Sequence, residues 1–318
     1  MIKHIKRLVC AVLCAAAVMA MLSGCSGIKK NGKLKVIATI YPVYQWAQNI
    51  IGDNDNVELS LLMDKGVDLH SFQPTVGDIV EISSCDVFIY VGGISDSWVD
   101  DVLRDKKNKS MIAVDLMQEL GNAAKVEELV EGMQGEEEEE DGAPEYDEHI
   151  WLSLKNASAL CGTIAEKLGE ADSGNKEAYK ANAEAYIEKL SALDARYTAA
   201  CQSAKNKTLI FADRFPFRYL TDDYDLTYYA AFVGCSAESE ASFQTLVFLA
   251  GKLDELKLNK LIVTESSDKK IADAVIDTAK TKDVTILTLD SMQSSIGEND
   301  TYLSIMERNL EVLSQALS

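Results

Sequence analysis

The sequence predicts an α/β protein of two lobes, each built on a parallel sheet and joined by one long rigid helix. Three observations predict it. Short apolar runs of β type alternate with helix-length segments, the alternation occurs twice, and one unbroken helical pattern separates the two series. The length of 318 residues suits two domains. With 47% hydrophobic and 26% charged residues, the composition excludes a largely disordered chain, a collagen-like fibre and a small disulfide scaffold.

Residues 1–24 read as an export signal. Lys3, Lys6 and Arg7 precede an apolar run over 8–22, shorter than the roughly 20 residues a spanning helix needs. The run ends in Leu22-Ser23-Gly24-Cys25, which resembles the cleavage box of bacterial lipoproteins. Cys25 would then carry the lipid, and residues 25–33 would be a lipidated tether.

The first lobe is expected over 34–173. Its strand candidates are 35–41, 57–63, 86–91 and 111–116, with helices at 43–51 and 76–83. Residues 127–148 break the alternation: they hold twelve acids and no base, so a mobile, solvated loop is expected there. From 175 to about 203 the pattern is helical. Tyr179, Tyr186, Leu190, Leu193 and Tyr197 fall on one stripe. About 28 residues at 1.5 Å each make a rod of roughly 42 Å, longer than one small domain needs, so 174–204 is the expected linking helix. The second lobe, 205–318, has strand candidates at 208–212, 226–232, 261–264 and 284–289. Helices are expected near 242–256, 268–281 and 301–316. A ligand site belongs between the lobes, at the carboxyl ends of the strands.

A formal charge of −20 would repel a phosphate backbone, which argues against nucleic-acid binding, and it would draw cations. Cys85, Cys161, Cys201 and Cys235 are scattered with no C-x-x-C, so neither a zinc knuckle nor a redox motif is expected, and their pairing stays open. Gly92-Gly93 after a strand reads as a tight turn, not a nucleotide loop. Histidine is rare, and His4 leaves with the signal. His70 follows the second strand candidate in the segment 66–75. His149 follows the acidic stretch in Asp147-Glu148-His149-Ile150-Trp151-Leu152. A lone histidine is more often structural, but these two share acidic surroundings and matching places in the topology.

Several pieces in this order, behind a lipoprotein signal, carry a resemblance over essentially the whole mature chain. They are Thr39-Ile40-Tyr41-Pro42, the segment 66–75, and Gly92-Gly93 followed by Asp96-Ser97-Trp98. The acidic insertion ending at His149-Ile150-Trp151-Leu152, the long helix, and the run from Phe211-Ala212-Asp213-Arg214 to Tyr219 complete them. The chain resembles the metal-binding lipoproteins of zinc and manganese ABC importers, the cluster A-I (ZnuA/TroA-like) solute-binding proteins. The resemblance implies one metal held between the lobes by four side chains. It matches His70 and His149 to the first two ligands. It places the third at Asp213, although the spacing to Tyr219 is one residue longer than the family pattern, and Arg214 and Arg218 stand close enough to pair with it. The fourth follows the strand 261–264, with Glu265 favoured and Asp268 second. Cys235 faces the expected cleft and is the alternative as a thiolate. Glu238 and Glu240 are expected to begin the next helix. Leu69 stands where the family usually has proline.

Imidazole and carboxylate donors suit zinc and manganese, and the lack of a cysteine cluster argues against copper(I) and iron–sulfur. Four protein ligands leave no position for an activated water. Two carboxylates against +2 give a neutral centre. The ligand types lean toward manganese and the acidic stretch toward zinc; zinc is favoured, with manganese next. The expected role is a monomeric, lipid-anchored, extracytoplasmic binding protein that delivers the metal to an ABC permease and its ATPase, and is not an enzyme. The rivals are a surface metallohydrolase using the same site and a surface adhesin. No H-E-x-x-H or nucleophile elbow supports the first, and no marked adhesive patch supports the second.

Overall fold

Residues 32–63, 67–135, 145–236, 240–294 and 297–318 are described by the computed structural model, and Leu34–Ser318 belong to one compact unit. The expected export signal, Cys25 and most of the expected tether lie outside the described residues. No helix among the described residues is long and apolar enough to cross a membrane.

The strands β1 (Leu34–Ala38), β2 (Val57–Leu61), β3 (Val87–Tyr90) and β4 (Ile112–Asp115) form a parallel sheet in the order β2-β1-β3-β4. The strands β5 (Thr208–Phe215), β6 (Thr227–Val233), β7 (Lys260–Thr264) and β8 (Thr285–Leu289) repeat that order as β6-β5-β7-β8. β3 reads VFIY and is buried throughout, as a parallel strand covered on both faces must be. In each sheet the chain reverses its direction of growth beside the first strand, so the loops at the carboxyl ends open a crevice there.

Local signals set the helix starts. In α1 (Tyr41–Ile51), Pro42 sits in the first turn, where a missing N–H costs nothing. α2 (Val76–Ser84) begins with a capping box between Thr75 and Asp78. Short helices α3 (Val99–Arg104) and α4 (Leu116–Leu120) follow β3 and β4. Ser153 caps α5 (Leu154–Ala171) by accepting the Asn156 N–H. Then come α6 (Lys176–Ser203), α7 (Arg218–Asp223), α8 (Phe243–Glu255), α9 (Lys270–Thr278) and α10 (Tyr302–Ala316).

The linking helix α6 buries Tyr179, Tyr186, Leu190, Leu193 and Tyr197, the expected stripe, together with Ala183 and Cys201. It packs on α5 and α1 from the first half and on α10 from the second. Asn182 donates to Ile50 O at 3.0 Å, and the Tyr197 hydroxyl donates to Met306 O at 2.6 Å. One buried apolar cluster runs from β1 and α1 to α10 without a break. Within it Trp46 meets Tyr302 edge to face at 5.4 Å. Trp151 donates to Ser291 O at 2.8 Å, and the Tyr302 hydroxyl donates to Trp151 O at 2.6 Å. The two lobes thus share a core, and wide relative rotation would tear it.

The structure departs from expectation in three places. β5 runs on to Phe215, with a register shift against β6 between Phe211 and Arg214, which places Asp213 inside a strand irregularity. α9 is shorter than the helix expected over 268–281. The acidic stretch is not wholly loose, because its described flanks are fastened. Glu127 N–H donates to Glu145 O at 2.9 Å, Asp147 N–H to Lys125 O at 2.8 Å, and Gln134 N–H to Ala231 O at 2.9 Å. Glu128 pairs with Arg218, and Met133 is buried. Residues 136–144, the densest part of the acidic run, lie outside the described residues. The four described cysteines are free.

Candidate metal centre

His70 lies on a single 3-10 turn, Leu69–Ser71, after β2. Asp68 begins the turn, its Oδ1 accepting the His70 N–H at 3.0 Å, and Leu69 anchors it in the core. The His70 Nδ1 pairs with Ser95 Oγ at 2.9 Å and lies 3.5 Å from Glu148 Oε2. Glu148 is itself held by the Ser95 N–H, which donates to its Oε1 at 2.8 Å. Gly93 makes room for this carboxylate: at φ 84° it takes a left-handed conformation, and a Cβ there would lie 2.3 Å from Glu148 Oε1. The Gly92-Gly93 turn is therefore part of the support for His70.

His149 precedes the 3-10 turn Ile150–Leu152 and is completely buried. Asp147 Oδ1 accepts both its backbone N–H, at 2.8 Å, and its ring Nδ1, at 3.0 Å. The opposite ring edge meets His70, with the two Nε2 atoms 3.1 Å apart. Asp147 favours a proton on the His149 Nδ1, and the His70 Nδ1 is taken up by the Ser95 hydroxyl with Glu148 beside it, so the Nε2 edges of the two rings are left to meet. Two imidazole nitrogens this close must hold a proton or another cation between them. Two zinc–imidazole bonds of about 2.0–2.1 Å at a tetrahedral angle span roughly 3.3–3.4 Å, close to the spacing seen.

The electrostatics agree with a cation site. Burial and the neighbouring His149 drive His70 down to about 3. Burial also pulls His149 down, but Asp147, Glu148 and Glu127 outweigh it and leave that ring raised. At most one proton is shared across the facing nitrogens, and a metal ion would displace it. Burial pushes both Glu127 and Glu148 up. Glu148 Oε2 has no hydrogen-bond partner.

Cys235 reaches the same spot from the second lobe, just after β6. Among the described residues, His70, His149 and Cys235 form a group whose ligand atoms all lie within 4.8 Å of one another. The Cys235 N–H donates to Glu127 Oε1 at 3.0 Å. Burial, reinforced by Glu127, Asp147 and Glu148, raises the thiol and keeps it protonated in the absence of a cation.

The carboxylates expected as ligands are placed differently. Asp213 turns along its sheet to β7: its Oδ2 accepts Thr264 N–H at 3.0 Å and Thr264 Oγ1 at 2.9 Å, while its Oδ1 accepts Arg214 N–H at 2.8 Å. It is not in the group with the histidines. Arg214 meets the Asp213 carboxylate only through its backbone N–H; its guanidinium crosses to Asp68 at 2.9 Å. Glu265 also stands outside the group. Its carboxylate accepts Ser291 N–H at 2.7 Å, Ser291 Oγ at 2.9 Å and Gln293 N–H at 3.0 Å. The Gln293 side chain reaches Asp68 Oδ1 at 3.4 Å, so this network abuts the turn that carries His70. Asp268 is exposed and pairs with Lys270 on the surface.

Residues 36–316 match the family described as ZnuA, zinc-uptake complex component A, periplasmic. This chain belongs to the ZnuA family. The zinc-binding lipoprotein AdcA of Streptococcus pneumoniae is 33% identical over 316 residues, covering 97% of this chain and 60% of AdcA. The chain thus spans about three-fifths of that relative's length. The high-affinity zinc uptake system protein ZnuA of Bacillus subtilis is 30% identical, covering 97% of this chain and 95% of that protein. Among solved structures, the Zn(II)-bound ZnuA-like domain of S. pneumoniae AdcA has a TM-score of 0.71 at 28% identity, covering 90% of this chain and 99% of that one. The B. subtilis metal-dependent lipoprotein YcdH has a TM-score of 0.74 at 26% identity, covering 90% of this chain and all of that one. The family is one of binding components of metal uptake, not of enzymes.

Within this ZnuA-family fold, sequence reasoning missed the residues that hold the histidines. Asp147 and Glu148 read as the tail of an acidic run, although their place directly before His149 was a signal. Gly93 read only as part of a tight turn, and Ser95 and Gly234 gave no signal, because their roles are contacts across the fold. A Cβ at Gly234 would lie 2.9 Å from His149 Cε1, so only glycine there leaves His149 its place.

Proposed function

We propose that this chain captures a divalent transition metal, zinc first and manganese next, between its lobes and delivers it to an ABC permease driven by its ATPase. It does so on the extracytoplasmic face of the membrane, held there by lipid on Cys25. His70 and His149 bind the ion through Nε2. Glu265, pre-oriented by the 291–293 backbone, supplies a carboxylate as the site closes. Asp213, spent on Thr264, does not take part. The supporting observation is the pair of Nε2 atoms 3.1 Å apart, with Asp147 at the His149 Nδ1 and Ser95, itself tied to Glu148, at the His70 Nδ1.

The relatives named above as zinc-binding support the choice of metal. The shared core supports release by local movement of the His70 turn rather than by a wide hinge. The test is metal stoichiometry on the chain from residue 26 onward, which keeps the whole compact unit, stripped and then offered zinc and manganese together. One tight ion per chain, lost in both His70→Ala and His149→Ala, is the expected result. Binding indifferent to both substitutions would overturn the reading.

A further inference from the structure

Resting on that reading, we infer that Cys235 is a metal ligand, its thiolate taking the place Asp213 was expected to fill, and that this sulfur biases the site toward zinc and against manganese. The Cys235 Sγ and the ligand nitrogens of both histidines already lie within 4.8 Å of one another. Bonds of about 2.3 Å to sulfur and about 2.0–2.1 Å to nitrogen at a tetrahedral angle put those atoms roughly 3.6 Å apart. The arrangement needs a contraction of about 1.2 Å at most, within reach of one side chain turning.

The thiol is not on a free loop tip. Its backbone N–H is fixed to Glu127, and Gly234, with no Cβ, lets this loop lie against the His149 ring. The topology repeats as well. β2 and β6 occupy equivalent positions in the two sheets, and His70 follows one as Cys235 follows the other. Cys85, Cys161 and Cys201 are buried among apolar side chains, whereas Cys235 is only half-buried and faces the two histidines.

Binding breaks the S–H bond heterolytically. The sulfur electron pair forms the bond to the metal, the proton passes to solvent, and no electron is transferred. Two neutral imidazoles, one thiolate and the Glu265 carboxylate then balance a +2 ion. Thiolate favours zinc, while manganese prefers carboxylate and water oxygen.

The test uses cobalt(II) as a spectroscopic stand-in on the chain from residue 26 onward. Wild type should show a near-ultraviolet sulfur-to-cobalt charge-transfer band. Cys235→Ser should lose that band while still binding cobalt through the histidines. Its zinc affinity should fall by more than the roughly 10–100-fold that outer partners of a metal site carry, with manganese affinity little changed. A second measurement needs no variant: X-ray absorption of the zinc-loaded wild type should show a sulfur neighbour at about 2.3 Å from the zinc. Cobalt bound in a His149-dependent way without a charge-transfer band, or zinc with only nitrogen and oxygen neighbours, would overturn the inference and leave the carrier reading standing. No His149-dependent metal at all would overturn both.

Discussion

Replacing Gly234 by alanine puts a methyl carbon into a gap that does not exist. It would lie 2.9 Å from His149 Cε1, 3.0 Å from His149 Nδ1 and 2.9 Å from Phe215 O. Ordinary carbon–carbon contacts are about 3.5–4.0 Å, so roughly 0.6 Å must be found. Phe215 O belongs to the backbone of β5 and has little freedom. The His149 ring is fully buried and tied to Asp147 through Nδ1, yet it is the softer of the two, because it can swing about its side-chain torsions. Metal sites tolerate about 0.2 Å of error in ligand distance, so a swing of half an ångström spoils the facing of the two Nε2 atoms. Gly234→Ala should therefore cost about 1–3 kcal/mol of stability through overpacking and weaken zinc binding about 10–100-fold. The assay pairs zinc competition against a chromogenic chelator with urea unfolding of the metal-free protein. Wild-type zinc affinity with reduced stability would mean that the 234–235 loop yields and the ring does not, refuting the claim that Gly234 positions His149.

Three further outcomes are expected. Asp147→Asn removes the carboxylate that fixes the His149 ring and should weaken zinc binding about 10–100-fold with one ion per chain still reached at saturation; an unchanged affinity would remove Asp147 from the site. Burial, aided by Glu148, raises Asp96 to about 7, so its folded form binds a proton that the unfolded chain has lost, and stability falls as pH rises from about 4 through 7. Urea unfolding at pH 5 and pH 8 should show wild type losing a few kcal/mol more than Asp96→Asn, at about 1.4 kcal/mol per unit, and equal losses would contradict this. Gly162 lies exposed inside α5 with nothing within 4 Å of a Cβ, so Gly162→Ala should stabilise by about 0.5–1 kcal/mol, visible as a higher urea midpoint at unchanged slope.

Much of the architecture was legible in the sequence because it rests on local patterns. The alternation of apolar runs marked the strands, and the Tyr179–Tyr197 stripe marked the buried face of α6. Both histidines stood out because the sequence holds only three. What local pattern could not show was where side chains go once strands pair. Asp213 lies where β5 shifts register against β6, and that shift lets its carboxylate reach Thr264 instead of the cleft. The one-residue excess in its spacing to Tyr219 was the only trace. Cys235 had no partner at fixed spacing, since its neighbours at the site are 86 and 165 positions away. Arg214 looked like a partner for its neighbour and instead bridges to Asp68 in the other lobe.

The shared core also fixes when the molecule can finish folding. Trp46, made early, packs against Tyr302, and the Tyr41 hydroxyl donates to Asp300 O at 2.6 Å. About 256 residues separate Trp46 from Tyr302, so at 5–20 residues per second the first-made half waits roughly 13–50 s for the helix that completes it. A growing chain of this protein stays an unfinished fold until α10 has been made. Cutting off α10 should therefore damage the first sheet's packing as surely as the second's.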